Sequence, residues 1–336
     1  MYLGGSPLPV GANCIGVWEA VGTRIISSVV GWCGGDGIYV HHSPETSIVD
    51  SAVGISSRGG ATPIEVHGVR FDQGSDDSVL AGCEIGNCAL GVRVDAPRVH
   101  IRQTYVGVSK SGVVAQPTML TGVFFGSTAP NGTMSDTVIG GAMLCASDRE
   151  TATGCGSGVM SLAPLTTVSR SYIGIFPLPS SGGAIPVNIG NAGDGVTLRS
   201  AAEGATLVSN IISFNGRNGI LSDTTNMVTI TGNIIGTFPA RPDVSWEVED
   251  GSGERSGSGD GNGSGDDDGS GERNRRQSST SHPDWHNCSN GLYGVSTESG
   301  LVPDVLIEEN MIRYNAVRIL DTSKPLSCSR CTPNTG

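Results

Sequence analysis

Aromatic and charged residues are scarce in this chain of 336 residues, at 5% and 15% of the sequence. With so few large rings, a buried core must be built mainly from Val, Ile and Leu. Glycine is abundant, at 51 residues, and it alone enters positive φ without steric cost. The combination predicts many short strands joined by tight turns, and it argues against a helical bundle.

The sequence has no apolar run near the roughly 18–20 residues of a membrane-spanning helix, so no membrane insertion is expected. Its first residues lack the basic and apolar regions of a signal peptide. Nine cysteines and three Asn-x-Ser/Thr sequons, at Asn131, Asn262 and Asn287, instead favour secretion and N-glycosylation. We therefore expect an extracellular or cell-surface protein whose signal peptide lies upstream of this fragment.

Basic residues are also few, because 20 Lys and Arg face 32 Asp and Glu, for a net charge of −12. Nucleic acids need basic side chains to neutralise their phosphates, so no nucleic-acid partner is expected. Residues 247–281 hold nine of the acidic residues and no apolar residue after Val248. That segment is predicted to be a disordered, acidic, Ser/Gly-rich insertion.

An internal repeat is the main positive signal. Its first segment alternates apolar and polar residues, passes a polar corner and ends in a second apolar pair, a pattern typical of strands. Copies lie at 99–108 and 228–237, with looser copies at 47–55, 167–175 and 305–313. A second segment ends in a glycine before an apolar residue, at Gly37, Gly91, Gly158, Gly219 and Gly291, and a third contains Gly122 and Gly195.

The spacing of the repeat suggests a solenoid. The first segment recurs with its final glycine at Gly54, Gly107, Gly174 and Gly236. The intervals between these successive glycines are too long for one coil, so three coils of about 20 residues are predicted in each unit. Stacking coils about 4.8 Å apart would pair the backbone and bury the apolar face of every strand. A β-sandwich is less favoured because two-residue hairpin turns are scarce, and a propeller because aromatic blade signatures are absent.

The runs at 137–141, 210–220 and 231–237 resemble the three-coil repeat of right-handed parallel β-helix proteins in the pectin-lyase-like superfamily. The resemblance covers most of 13–240 and resumes at 286–320. It implies an all-β, right-handed parallel β-helix solenoid over 13–246, with the last coils at 282–325. Residues 326–336 begin a Cys-rich module or form a tail. These motifs imply a fold and only weakly a function.

Catalytic candidates are weak. Polygalacturonases of this fold use clustered Asp residues, and here only Asp76 and Asp77 are similar, without that family's Asn-Thr-Asp, Gly-His-Gly and Arg-Ile-Lys elements. Adjacent strand residues point to opposite faces, so a polar turn is the preferred interpretation and no catalytic residue is assigned. Calcium would be a cofactor only for a lyase, whose carboxylates must converge on the ion. The Asp residues that stacking could bring together are Asp50, Asp72, Asp95, Asp136 and Asp194.

No metal site is predicted. His41 and His42 are adjacent and should diverge on a strand, and the pair Cys328 and Cys331 has no second half for zinc, so a disulfide there is preferred. Aligning the second segments of the repeat places Cys33, Cys88, Cys155 and Cys288 at one position. The units with an upstream cysteine predict three disulfides: Cys14–Cys33, Cys83–Cys88 and Cys145–Cys155.

Three functions are compatible with these observations. The leading interpretation is a non-enzymatic extracellular β-helix that displays loops for adhesion or glycan binding, with a glycan or a cell-surface protein as partner. The second is a polysaccharide lyase or glycoside hydrolase acting on acidic polysaccharide, and the third is an inactive paralogue. Three or more carboxylates converging with an arginine on one face would favour the enzyme. The oligomeric state is not predicted.

Overall fold

A computed structural model of the chain describes residues 12–112, 114–143, 156–177, 187–224, 227–236, 290, 293–297, 305–312, 315 and 317–321. Every regular element in these ranges is a strand. Successive strands join three long parallel sheets in turn, so that each coil adds one strand to each sheet. The chain is therefore a parallel β-helix, as predicted, and such crossovers are right-handed.

We name the sheets A, B and C in the order in which each coil visits them. Sheet A contains β1 (Ile15–Trp18), β4 (Ile38–His41), β7 (Ile64–Phe71), β10 (Cys88–Val94), β13 (Thr118–Phe125), β16 (Ser157–Ser161), β21 (Val196–Leu198), β24 (Ile220–Ser222), β27 (Tyr293–Thr297) and β30 (Val317–Asp321). Sheet B contains β2 (Arg24–Ile26), β5 (Ser47–Val49), β8 (Val79–Ala81), β11 (His100–Arg102), β14 (Thr133–Ser135), β17 (Thr167–Ser169), β22 (Thr206–Val208), β25 (Val228–Thr231) and β28 (Val305–Glu308).

Sheet C has the shortest strands: β3 (Val29–Val30), β6 (Ala52–Val53), β9 (Glu84–Ile85), β12 (Tyr105–Val106), β15 (Val138–Ile139), β18 (Tyr172–Ile173), β23 (Ile211–Ile212), β26 (Ile234–Ile235) and β29 (Met311–Ile312). A separate antiparallel pair, β19 (Ile175–Phe176) with β20 (Val187–Asn188), follows β18. Inside the coils, aliphatic side chains from the three sheets form one continuous core. The core is built mainly from Val, Ile and Leu, as the shortage of aromatic residues predicted, although Phe71 and Phe125 are among its largest fully buried side chains.

The corner between sheets B and C is built from the same pair of structural positions in every coil. The first has positive φ, as at Asp50, Gln103 and Asp136. The second is a small polar residue in all coils but the one with Cys83, and in several coils its side chain accepts from the backbone of the coil before it, as when Asn233 accepts from the Asn210 N–H at 2.9 Å. This ladder pairs buried backbone groups that the sharp corner takes out of the sheets.

A column of glycines crosses the sheet A strands, and each glycine comes directly before a buried aliphatic residue of the core. Its members are Gly37, Gly68, Gly91, Gly122, Gly158, Gly195 and Gly219. A Cβ on Gly91 would lie 2.4 Å from the carbonyl oxygen of Gly122 and 2.5 Å from a methyl of Val106. The glycines of the second and third segments of the sequence repeat thus occupy the same structural position, and only glycine fits there.

The prediction of three coils per repeat unit is wrong. Val53 pairs with Ile85 and Ile85 with Val106, so Gly54 and Gly107 lie two coils apart. Coil length is uneven, because the stretch from Ile38 to its partner Val69 is longer than the stretch from Ile15 to Ile38. Because the loops between sheets C and A vary in length, the sequence does not repeat with the period of a single coil.

The same register corrects the last copy of the second segment. Val295 pairs with Ile220, so the glycine column continues at Gly294 instead of Gly291. Strand β27 thus pairs directly with β24, although the whole of 223–292 separates them in the chain. The insertion at 247–281, the sequons at Asn262 and Asn287, and residues 326–336 lie outside the described residues, and the domain boundaries stay predictions.

One predicted disulfide is present. Cys14 and Cys33 are bonded, with Cα atoms 5.5 Å apart. The predicted Cys83–Cys88 bond is wrong, since both residues are free, buried thiols. Strand β9 lies between them, so Cys83 is at the B–C corner while Cys88 starts a sheet A strand. Cys145, Cys155, Cys288, Cys328 and Cys331 lie outside the described residues.

Candidate functional site

In the described part of the chain, the outer face of sheet A is most open over its first four strands, β1, β4, β7 and β10. Two outward columns cross these strands in register, the first with Tyr39, Arg70 and Arg93. The second begins with Trp18 and His41 on neighbouring strands. It continues with Asp72 and Asp95, each the first residue after its strand. Farther along the first column, Phe124, Met160, Thr197 and Leu221 are buried.

Aromatic rings form the end of this face nearest to the first coil. Trp18 is 57% exposed, and its ring centroid lies 5.1 Å from that of Tyr39 and 5.0 Å from that of His41. The His41 and His42 rings are 4.1 Å apart, because positive φ at His42 bends the chain. The expectation that the two histidines diverge is therefore wrong.

Asp72 is the centre of the polar network. Its Oδ2 accepts from the Tyr39 hydroxyl at 2.6 Å and from Arg70 Nη2 at 3.1 Å, and it lies 3.4 Å from His41 Nδ1. Burial, the hydrogen bond to Asp72 and the negative charge of Asp72 raise the pKa of Tyr39 to about 12. Burial alone would raise the pKa of Asp72, but the bonds from Tyr39 and the Gln73 N–H, with the charge of Arg70, lower it.

A second ion pair lies one coil farther along. Arg93 Nε donates to Asp95 Oδ2 at 2.6 Å, and Arg70 Nε lies 3.8 Å from the same oxygen. Arg70 therefore links the two carboxylates. Each guanidinium also lies over a ring, Arg70 over Tyr39 at 5.3 Å and Arg93 over Phe124 at 5.5 Å. These contacts hold both arginines flat against the sheet.

A cleft of about 650 Å³ opens beside these pairs, where the chain leaves sheet A for sheet B. Its lining residues are His42, Arg70, Asp72, Gln73, Gly74, Asp76, Arg93, Asp95, Pro97 and Thr128. The aromatic end of the face and this cleft together form what we call the sheet A site. It offers one exposed ring, paired donors and acceptors, and a concave pocket.

The sequence candidates Asp76 and Asp77 lie in the turn before β8, not on a strand. Both carboxylates pair with Arg98, at 3.3 Å for Asp76 Oδ2 and 2.7 Å for Asp77 Oδ1. The hydrogen bond from Arg98 lowers the pKa of Asp77. The argument that adjacent residues diverge does not apply, because positive φ at Asp77 turns the chain. Asp76 reaches the rim of the cleft.

Of the five scattered Asp residues, stacking brings Asp72 and Asp95 into one site and leaves the others outside it. Asp136 pairs with Arg170 at 2.8 Å on the exposed side of a B–C corner. Asp194 is buried and accepts from Asn218 Nδ2 at 2.7 Å. With Asp76, the cleft nevertheless holds three carboxylates and two arginines, which is the convergence expected of an enzyme.

The carboxylates of the cleft do not fit a calcium site. Within the described residues, no three His, Cys, Asp or Glu side chains lie close enough to hold one metal ion. Asp72 and Asp95 instead turn their oxygens to guanidinium groups, whereas calcium needs six to eight oxygen ligands.

The exposed sequon lies on the edge of a coil. Asn131 is exposed and has positive φ at the corner before β14. Thr133 is the third residue of this sequon. Its Oγ1 shares a hydrogen bond with His100 Nδ1, and the two atoms are 2.8 Å apart. The glycosylation of Asn131 stays a prediction.

In the described part of the chain, no helix is long and apolar enough to cross a membrane.

Sequence reasoning did not identify Trp18, Tyr39, Arg70 or Arg93. Tyr39, Arg70 and Arg93 share one column, although they are far apart and unevenly spaced in the sequence. Only an alignment by coil register would place them together. The signal available was the alternation inside each strand, which marks Tyr39 and Arg70 as outward residues.

No protein family and no curated protein matches the chain in sequence. Among solved structures, the full-length tailspike protein 2 of Escherichia coli O157:H7 bacteriophage CAB120 is similar, at 12% identity and a TM-score of 0.43. This alignment covers 68% of this chain and 29% of the tailspike, so the chain spans less than a third of that protein. The A-module of mannuronan C-5 epimerase from Azotobacter vinelandii has 10% identity and a TM-score of 0.33, over 98% of this chain and 87% of the module. At these values neither similarity extends beyond the fold.

Proposed function

We propose that the sheet A site binds a saccharide and that the protein is a non-enzymatic extracellular glycan-binding module. The observation that carries the proposal is an exposed Trp18 beside two Arg–Asp pairs at a cleft. The C–H face of a sugar ring stacks on an aromatic ring, while its hydroxyls bond to fixed polar groups in a concave site. The first four strands offer both.

Two further observations support an extracellular setting. The Cys14–Cys33 disulfide is typical of proteins from oxidising compartments. The sequon at Asn131 is exposed and therefore accessible to glycosylation. A cell-surface protein stays an alternative partner, and the glycan is preferred because the open part of the face is a cleft with paired charges instead of a broad apolar patch.

A glycan array with the intact chain tests this proposal. We expect binding to a restricted set of glycans, and loss of at least about 1–2 kcal/mol of binding free energy in Trp18→Ala, the usual scale for an interfacial anchor. Trp32→Ala is the matched control, because Trp32 is 39% exposed but lies beside the start of β7, at the opposite end of the sheet A strands from Trp18 and the cleft. Equal binding by both variants would place the saccharide elsewhere.

The second candidate is an enzyme acting on polysaccharide, and the convergence of Asp72, Asp76 and Asp95 with two arginines favours it. Glycoside hydrolysis needs one protonated carboxyl group, whereas the pKa of Asp72 is lowered by its bonds from Tyr39 and the Gln73 N–H and by the charge of Arg70, and Asp95 is engaged by Arg93. The Tyr39 hydroxyl, whose pKa is raised to about 12, keeps its proton at neutral pH and lies against Asp72 as a donor. This arrangement suits a lyase better than a hydrolase.

Turnover assays separate the two candidates. We expect neither unsaturated product nor new reducing ends from pectate, polygalacturonate or neutral polysaccharides, with or without calcium. Product that disappears in Tyr39→Phe and Asp72→Asn would establish the enzyme. Asp77→Asn is the comparison variant, because Asp77 pairs with Arg98 and does not line the cleft.

A further inference from the structure

The arginines at the sheet A site are already neutralised. Arg70 lies 3.1 Å from Asp72, and Arg93 lies 2.6 Å from Asp95. Arg98, beside the cleft, lies 3.3 Å from Asp76. Among the described lining residues, His42 is the one basic side chain outside these pairs. The three arginines and three carboxylates therefore carry no net charge between them.

An acidic sugar that contacts one of these guanidinium groups would also contact the carboxylate paired with it. To bond its carboxylate or sulfate to Arg93, it would displace Asp95 from a bond of 2.6 Å or lie beside it. Two like charges at contact distance repel strongly where water is partly excluded. The net charge of −12 adds a long-range repulsion.

A neutral sugar fits the same groups without rearrangement. A hydroxyl both donates and accepts, and each Arg–Asp pair presents an N–H next to a carboxylate oxygen. Arg70 is shared between Asp72 and Asp95, so donors and acceptors alternate from one coil to the next. The exposed Trp18 ring needs only a C–H face, which neutral hexoses supply.

We infer that the saccharide bound at the sheet A site is uncharged, so that the ligand is a neutral glycan and not a uronate or a sulfated chain. This inference rests on the proposed function and narrows it. It also sets Asp95 as a specificity-determining residue, because its carboxylate occupies the place on Arg93 that an acidic sugar would take.

The experiment is a calorimetric titration with neutral and acidic oligosaccharides of equal length, taken from the array. The chain is expected to bind a neutral member with an affinity that hardly changes with salt. In Asp95→Asn, Arg93 loses its carboxylate, and affinity for uronate oligosaccharides at low salt should rise by about tenfold or more. Asp136→Asn is the matched control, because it makes the same charge change and frees Arg170 outside the site.

Each outcome decides between the two ideas. Tight, salt-sensitive binding of acidic oligosaccharides by the unmodified chain would overturn the neutral ligand and leave the proposed function standing. No binding of any glycan in either class would overturn the proposed function, and the inference with it. An equal gain in Asp95→Asn and Asp136→Asn would show a general charge effect and remove the role of Asp95.

Discussion

At the scale of single residues, the Tyr39–Asp72 hydrogen bond ties the sheet A site together across two coils. The bond needs a protonated phenol and an ionised carboxylate. Because the pKa of Tyr39 is raised to about 12, its stabilisation is present below the ordinary pKa of 10 and is lost as pH rises from 10 to 12. Because the pKa of Asp72 is lowered, its stabilisation is present above its ordinary value of 3.8 and is lost as pH falls below it.

We therefore expect Tyr39 to ionise late, near pH 12, when phenolate absorbance is followed during an alkaline titration. Tyr39→Phe should remove this late step. Asp72→Asn should shift it toward 10, since it removes the negative charge that opposes ionisation. A late step unchanged by both substitutions would assign it to another tyrosine.

A second residue-scale feature is the place of Cys83 in the B–C corner ladder. Ser51 and Thr104 hold the same position one coil before and after it, and their hydroxyls donate to the carbonyl two residues earlier at 2.9 Å. The Cys83 thiol makes the corresponding contact to Ala81 at 3.4 Å and accepts from the Ser51 N–H. Sulfur is thus a weak substitute for oxygen in a ladder of hydroxyls and amides.

Cys83→Ser should accordingly keep or raise the free energy of unfolding, by up to about 1 kcal/mol, because a hydroxyl bonds more strongly there. Cys83→Val, similar in size, should lower it by about 1–3 kcal/mol, because the buried Ser51 N–H loses its acceptor. Denaturant unfolding of both variants measures this. A valine variant as stable as the serine variant would mean that the ladder contributes nothing at this coil.

At the scale of elements, the glycine column sets how closely sheet C approaches sheet A. A methyl group on Gly91 would meet the backbone of Gly122 and the core residue Val106, and neither can turn away. Gly60 gives the contrast: its nearest atom is the exposed Ser56 hydroxyl, at 3.2 Å, and its φ is not positive.

Gly91→Ala should therefore lower the free energy of unfolding by about 1–3 kcal/mol, the usual cost of overpacking a core. Gly60→Ala should change it by less than about 0.5 kcal/mol, as surface substitutions do. Both are measured by thermal and denaturant unfolding. Equal effects would indicate that the coils separate enough to admit a methyl group, contrary to the close register of the sheets.

The strands and their stacking into a parallel β-helix were predictable, and the number of coils per repeat unit was not. Alternation marked the inward residues Ile101 and Ile230, and it placed β11 and β25 correctly, because burial of one face leaves a period of two in the sequence. The number of coils per unit was mispredicted, because loops such as 54–63 change the spacing without changing the strands. Asp72 and Asp95 were predicted from the sequence as candidates. Their position next to Trp18 and Tyr39 was not, because it depends on the lengths of the loops between the strands.

At the scale of the whole molecule, the sheet A site includes the first of the described coils. In the described chain, β1 pairs with β4 alone, so the first coil has a neighbour on one side only. End coils of a solenoid are its least stable part, because each coil is held by its neighbours. Yet this coil carries Trp18, the exposed ring of the site.

The Cys14–Cys33 disulfide offsets this weakness. It closes a stretch of 19 residues that contains β1, β2 and β3, which is one whole coil with Trp18 inside it. Closing a loop of that size contributes roughly 3 kcal/mol in the chain-entropy account. The bond therefore stabilises the coil that holds the aromatic end of the site, and the site depends on the oxidised state.

Reduction of the disulfide should accordingly loosen the first coil and leave the later coils folded. Hydrogen exchange of the β1 amides should accelerate by about tenfold or more, while exchange in β10 and β13 stays slow, because local opening follows local stability. The double variant Cys14→Ser/Cys33→Ser should exchange fast without reductant and show no further change when reductant is added. If β1 exchanges equally slowly with and without the bond, the pairing of β1 with β4 is sufficient to hold Trp18 in place.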